Sequence, residues 1–299
     1  MTSGRRRPGL ATVRGVPRVV LAAIAVVVLL AATVAWLLVG RAAGGAGTTV
    51  GVDPPTRPGS VAVGSLPPPV PLPSVDARGR VVVIDPGHDG GNGAAPAQIN
   101  RKVDAGGFLK ECDTVGAETD AGYPEHAFTF DVATRAAALL RARGVTVVLT
   151  RDDDTGVGPC VDARARAGAA AHADVSVSIH ADGGPPDGSG FHVIAPNRAP
   201  DGVNEGILTA SAWLATGLRD AYEAATGERP ANYLANQEGI VDRSDLGGLN
   251  LSTVPKVFIE CANMRNAVDA ARVSDPVWRQ RAAEGIVAGI LRYLAAPPG

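Results

Sequence analysis

The chain is short of the local signatures that name a reaction. No G-x-S-x-G segment is present, which argues against a serine hydrolase built on a nucleophile elbow. No G-x-G-x-x-G follows a strand, which removes that dinucleotide fingerprint, and H-E-x-x-H is missing too. Only three cysteines occur in 299 residues, and none forms a C-x-x-C, which argues against a zinc site built on cysteine pairs. No internal repeat is present either, so solenoids and propellers are set aside.

Basic charge is scarce where a nucleic acid would need it. Eight of the 28 Lys and Arg residues and two of the 30 Asp and Glu residues precede Gly79, which leaves residues 79–299 with a net charge of −8. Phosphate backbones require a basic footprint, so no nucleic-acid partner is expected. The 221 residues of this part suit one α/β domain, expected to be monomeric.

Residues 19–40 carry no charge at all. They follow Arg5, Arg6, Arg7, Arg14 and Arg18 and end at Arg41. A bilayer is crossed by roughly 20 apolar residues in a helix, and arginines in front predict a cytoplasmic tail over 1–18. The run is longer than the roughly 7–15 apolar residues of a secretory signal, which favours an anchor, although the small residues after Arg41 leave cleavage open. Residues 41–78 contain 6 glycines and 8 prolines and are expected to form an extended spacer that packs no core. The domain at 79–299 is thereby placed on the extracytoplasmic side, anchored or secreted, where disulfides persist. Cys112 and Cys160 lie among Asp, Gly, Pro and Thr, read as loop residues and are expected to pair; Cys261 follows an apolar run and is expected to be buried.

Within the domain, strands and helices alternate. The run VVVI at 81–84 reads as a buried strand that Asp85-Pro86-Gly87 stops, leaving His88 past its carboxyl end, where open α/β sheets bind ligands. Residues 89–123 read as one long irregular loop on the rim of a site. Pro124 starts a helix with Glu125 in its first turn and Gly144 at its end. Strands follow at 145–150, at 173–182 with His180 near the end, at 190–196 with His192, and at 255–261 with Glu260. The acidic run Asp152-Asp153-Asp154 reads as a solvated turn and not a calcium loop. Helices are expected at 161–171, 207–226 (Leu208, Trp213, Leu214 and Leu218 inward) and 278–294, with a polar loop at 244–251. The result is a mainly parallel central sheet covered by helices on both faces.

Two histidines and two glutamates reach strand or helix ends. Two neutral imidazoles and one carboxylate leave a zinc ion an open position for water, and an unligated carboxylate can move its proton. His88, Glu125 and His180 suit the first role and Glu260 the second. Glu260 follows three apolar residues, a setting that raises a carboxyl pKa unless Lys256 or Arg265 pairs with it. His192 reads as structural or substrate-facing. A glycosidase using Glu125 and Glu260 would leave both strand-end histidines without a role.

The segments VIDPGH (83–88), YPEHAFTFDVA (123–133), SIHAD (178–182) and VFIECANMRN (257–266) occur in this order. Together they resemble the zinc-dependent N-acetylmuramoyl-L-alanine amidases, the type-3 amidase family, over nearly the whole domain. The resemblance implies His88, Glu125 and His180 as ligands of one Zn2+ and Glu260 as the catalytic acid/base. It also implies hydrolysis of the bond between N-acetylmuramic acid and L-alanine in peptidoglycan. Cys112/Cys160 and the ANMRN ending are similar to the actinobacterial branch. Asp89, where the family continues with glycines, and CANMRN in place of TGFxxN depart from the common pattern and bear on the groove's shape. The other readings are a zinc peptidase cutting within the stem peptide and a catalytically silent wall-binding protein.

Overall fold

β-Branched residues alternating between two faces set the frame of this fold, and a computed structural model describes it for residues 66–298. The strands are β1 (Val81–Pro86), β2 (Lys102–Asp104), β3 (Leu109–Glu111), β4 (Thr146–Leu149), β5 (Val175–Asp182), β6 (His192–Pro196), β7 (Ile240–Arg243) and β8 (Lys256–Asn263). The helices are α1 (Pro96–Ile99), α2 (Glu125–Arg141), α3 (Val161–Ala170), α4 (Leu208–Thr226), α5 (Gly247–Asn250), α6 (Ala267–Ser274) and α7 (Pro276–Ala295).

Six strands form one sheet in the order β4-β1-β5-β8-β6-β7. All neighbours run parallel except β6 and β8, which pair antiparallel, so the sheet is mostly parallel, as expected, with one reversed join. From β1 the chain moves outward to β4 and then returns to β5 on β1's other side. Opposite crossovers of one hand put their helices on opposite faces and open a crevice between β1 and β5 at the carboxyl ends.

Period two then divides the strands into two kinds of surface. Val82, Ile84, Val175, Val177, Ile179, Val193, Val257, Ile259 and Cys261 face the apolar core, against α2, α4 and α7. The intervening residues Asp85, Ser178, His180, Lys256 and Glu260 turn to the other face, where α3 and α5 pack against each other. There Asp85 accepts from Arg164 at 2.9 Å, Lys256 at 3.1 Å, Thr150 at 2.6 Å and Ser178 at 2.9 Å. Burial alone would raise the Asp85 carboxyl, but the two cations hold it well below the ordinary carboxylate range.

Several expectations need correction. The loop at 89–123 is not structureless: it holds α1 and the two-stranded antiparallel sheet β2–β3, pieces too short to show a periodic pattern. The polar loop at 244–251 contains the turn of helix α5. Trp213 is 54% exposed, because the buried stripe of α4 runs through Ser211, Leu214, Leu218, Tyr222 and Ala225, one position to its side. The proline-rich spacer ends earlier than expected: Leu66, Leu72 and Val75 pack on the core and Ala77 is buried, since apolar side chains between prolines still find an apolar surface. Among the described residues no helix is long and apolar enough to cross a membrane; the tail at 1–18 and the predicted span at 19–40 lie outside them. Cys112 and Cys160 are joined in a disulfide, and Cys261 is free and buried.

Candidate metal centre

Three elements deliver one ligand atom each to the mouth of the β1/β5 crevice. His88 stands just past β1 in a left-handed backbone conformation with φ +58°. Glu125 is the first residue of α2, and His180 lies near the end of β5. Their ligand atoms all lie within 4.8 Å of one another. Glu125 Oε1 is 2.9 Å from His180 Nδ1 and 3.3 Å from His88 Nε2. It also accepts from the backbone N–H of Ala181, while Oε2 accepts from that of Ala117 at 2.7 Å.

Charges follow this packing. Burial would raise the Glu125 carboxyl, but the facing imidazoles hold it well below its ordinary value. Burial would lower His88, but Glu125 and then Asp113 push it up to about 10. A cation entering between these groups therefore displaces a proton near neutral pH.

Two glycines make room for the group. A Cβ on Gly87 would stand 2.2 Å from His180 Cε1, and one on Gly116 would stand 2.7 Å from His88 Cδ2 and 2.8 Å from Glu125 Oε2. Gly87 thus does more than turn the chain after Asp85-Pro86, the role its sequence context suggests; it lets the β1 strand end pass against a ring. Two imidazoles, one buried carboxylate and a cradle of this size fit a tetrahedral zinc ion with one position open.

Glu260, on β8 beside β5, is directly across the ladder from His180 and lines the same groove as His88, Glu125 and His180. Burial, then the charges of Glu125 and Asp182, raise its carboxyl well above the ordinary value. Neither expected partner holds it: Lys256 is fully buried against Asp85, and Arg265 reaches Asp120. His192 is outside the group. It sits opposite Glu260 on β6, buried, with Nδ1 lacking a hydrogen-bond partner among the described residues, and burial lowers its pKa to about 4.

The acidic run after β4 is an ion-pair turn. Asp154 accepts from His126 at 2.9 Å and from Arg151 at 3.0 Å, and Asp153 caps the backbone of Thr155. Sequence reasoning overlooked Phe258, whose ring stacks on that of His180 at 5.1 Å, and Asp182 and Arg243, which line the groove near Glu260. Strand alternation was the available signal for two of them: Asp182 is two residues from His180, and Phe258 is two from Glu260.

The fold and this constellation define a hydrolase-like α/β domain with a candidate metal centre at its switch point. The model of the N-acetylmuramoyl-L-alanine amidase family Amidase_3 matches residues 82–292, and the chain belongs to that family. It is 43% identical over 218 residues to the N-acetylmuramoyl-L-alanine amidase Rv3717 of Mycobacterium tuberculosis, covering 73% of this chain and 87% of that one. Among solved structures, the amidase Ami1 from Mycobacterium smegmatis is similar at a TM-score of 0.68 and 43% identity, over 73% of this chain and 98% of that one. AmiC2 of Nostoc punctiforme is similar at 0.55 and 25% identity, over 73% and 98%. Relatives of the actinobacterial kind agree with the likeness read from the motifs.

Proposed function

We propose that this chain is a zinc-dependent peptidoglycan amidase that hydrolyses the bond between the lactyl group of N-acetylmuramic acid and the L-alanine of the stem peptide. The observation that carries the reading is the convergence of His88, Glu125 and His180 beside an unligated Glu260 whose carboxyl pKa burial raises above its ordinary value. His88 Nε2, His180 Nδ1 and Glu125 Oε1 are the atoms that would hold one Zn2+. When bound there, zinc supplies Lewis-acid polarisation of a carbonyl and a water acidic enough to attack it. Glu260 takes the water proton and returns it to the leaving nitrogen, a task suited to a carboxyl whose pKa burial raises above its ordinary value. Leu246 and Phe258 contribute apolar surface to the groove, and Arg243 lines it together with Asp182 and Glu260.

The setting we infer is the cell wall outside the membrane, with the uncharged run at 19–40 as tether or signal. The Cys112–Cys160 disulfide supports an oxidising compartment.

The test is mass spectrometry of purified muropeptides digested by the zinc-loaded chain and by its Glu260→Ala variant. Free stem peptide with an intact amino sugar, from wild type only, is expected. Cleavage inside the peptide would replace the reading with a peptidase, and zinc retention without any cleavage with a binding protein.

A further inference from the structure

His88 meets the other ligands through Nε2, and its opposite nitrogen is held just as closely. Nδ1 lies 3.1 Å from the Thr114 carbonyl oxygen, 3.2 Å from Thr114 Oγ1 and 3.3 Å from Asp113 Oδ1. The Asp113 carboxylate is 5% exposed, so its partners are within the protein. Oδ1 also accepts from the Thr114 N–H at 2.7 Å, which fixes the neighbouring carbonyl, and Oδ2 accepts from Arg164 Nη2 at 3.0 Å.

Arg164 links this carboxylate to the ligand's own main chain. Its Nη2 also donates to the His88 carbonyl at 2.9 Å, its Nη1 to Asp85 Oδ1 at 2.9 Å and the Pro86 carbonyl at 2.7 Å, and its Nε to the Pro159 carbonyl at 2.8 Å. One guanidinium therefore fixes both the backbone that carries His88 and the acid that faces its ring. The Cys112–Cys160 disulfide joins the residue before Asp113 to the residue before α3, the helix that carries Arg164. Val161 N–H donates to the Cys112 carbonyl at 2.8 Å across the same junction.

We propose that Asp113 is a positioning residue for His88: with the Thr114 carbonyl it holds the Nδ1 side of the imidazole and so directs Nε2 toward Glu125 and His180. Arg164 takes Oδ2, so the oxygen that accepts the Thr114 N–H, Oδ1, is also the one turned to the histidine at 3.3 Å. Hydrogen bonding at the far nitrogen sets the tautomer, raises the basicity of the ligating nitrogen and fixes the ring plane, and losing such a partner typically costs about 10–100-fold in metal affinity. The inference rests on the reading of His88 as a ligand.

Zinc affinity of the full-length chain, measured by competition with a chromophoric chelator, tests it. Asp113→Asn keeps the volume and removes the charge, and it should bind zinc about 10–100-fold more weakly. His88→Ala in the same titration checks the ligand set: if it keeps zinc at wild-type affinity, the metal-site reading fails. If His88→Ala loses zinc while Asp113→Asn stays within about three-fold of wild type, only the positioning role is overturned. Should Asp113→Asn not fold, long-range 1H–15N spectra of the zinc-loaded wild type decide. The His88 proton is expected on Nδ1, protected from exchange; a proton on Nε2, with the metal on Nδ1, refutes the assignment.

Discussion

Gly87→Ala is the smallest change that should disable the centre. The backbone at Gly87 is not in the left-handed region, so alanine brings no conformational penalty there, only a methyl group. That methyl would lie 2.2 Å from His180 Cε1, 2.5 Å from Nδ1 and 2.6 Å from Nε2, where ordinary contact begins at 3.4 Å. Ring or strand must therefore give by about 1.2 Å. The strand is pinned: Gly87 N–H donates to the Ile179 carbonyl at 3.0 Å, and its own carbonyl accepts from Thr129 at 2.8 Å. The ring is pinned by its bond to Glu125 and by the near-parallel Phe258, 4° from its plane. Overpacking of this kind costs about 1–3 kcal/mol, and a displacement near 1 Å at a reacting centre can cost about 100-fold in rate. Zinc competition and muropeptide turnover should both fall while the chain still unfolds cooperatively in urea. Gly217→Ala is the control, because its Cβ meets nothing within 4 Å. It should leave turnover intact and stabilise α4 by about 1 kcal/mol. Wild-type zinc affinity and turnover in Gly87→Ala would refute the placement of the His180 ring in the centre.

Three other perturbations read different parts of the molecule. Asp85→Ala leaves Lys256 and Arg164 buried without their shared carboxylate and should cost about 3–5 kcal/mol in urea unfolding of the metal-free chain; a loss under about 1 kcal/mol would mean the cations find other partners. Reducing Cys112–Cys160 opens a 48-residue separation and should lower stability by about 4 kcal/mol on chain-entropy grounds, read as a shift in urea midpoint between oxidised and reduced protein. Burial, then the Asp269 charge, pushes the Glu228 carboxyl up to about 7 despite its paired contacts to Arg272. Because the folded form then holds a proton that the unfolded form releases near 4.5, this group's contribution is full below about 4.5 and is lost as pH rises through about 7. Glu228→Gln should flatten the fall in stability between pH 5 and 8, and an unchanged slope would count against the raised value.

Some residues announce their surroundings in sequence and others acquire them only in the fold. The apolar runs of β1, β5 and β8 are legible because burial on both faces demands a local pattern, and the polar residues that end such runs, His88, His180 and Glu260, stand out against it. Glu125 is harder: a carboxylate in a first helical turn is favoured by the dipole alone, and its setting comes from the crevice that the β4-β1-β5 order creates. Lys256 illustrates the opposite case. Read locally it is a surface cation within reach of Glu260, yet strand alternation turns it to the polar face, where it meets Asp85, 171 positions away. With Lys256 committed there, Glu260 is left buried near Glu125 and Asp182, which raise its carboxyl pKa. The same logic hides Asp113 in a segment that looks like loop: its meaning depends on Arg164 and His88, neither of which is near it in sequence. Leu66, Leu72 and Val75 lie in a segment whose composition reads as spacer for the same reason, since proline content describes the chain's stiffness and not the surface it meets. The setting of the proposed acid/base thus depends on a distant acid: Asp85 on β1 engages Lys256, a cation on the same strand as Glu260, and leaves Glu260 without it as a partner.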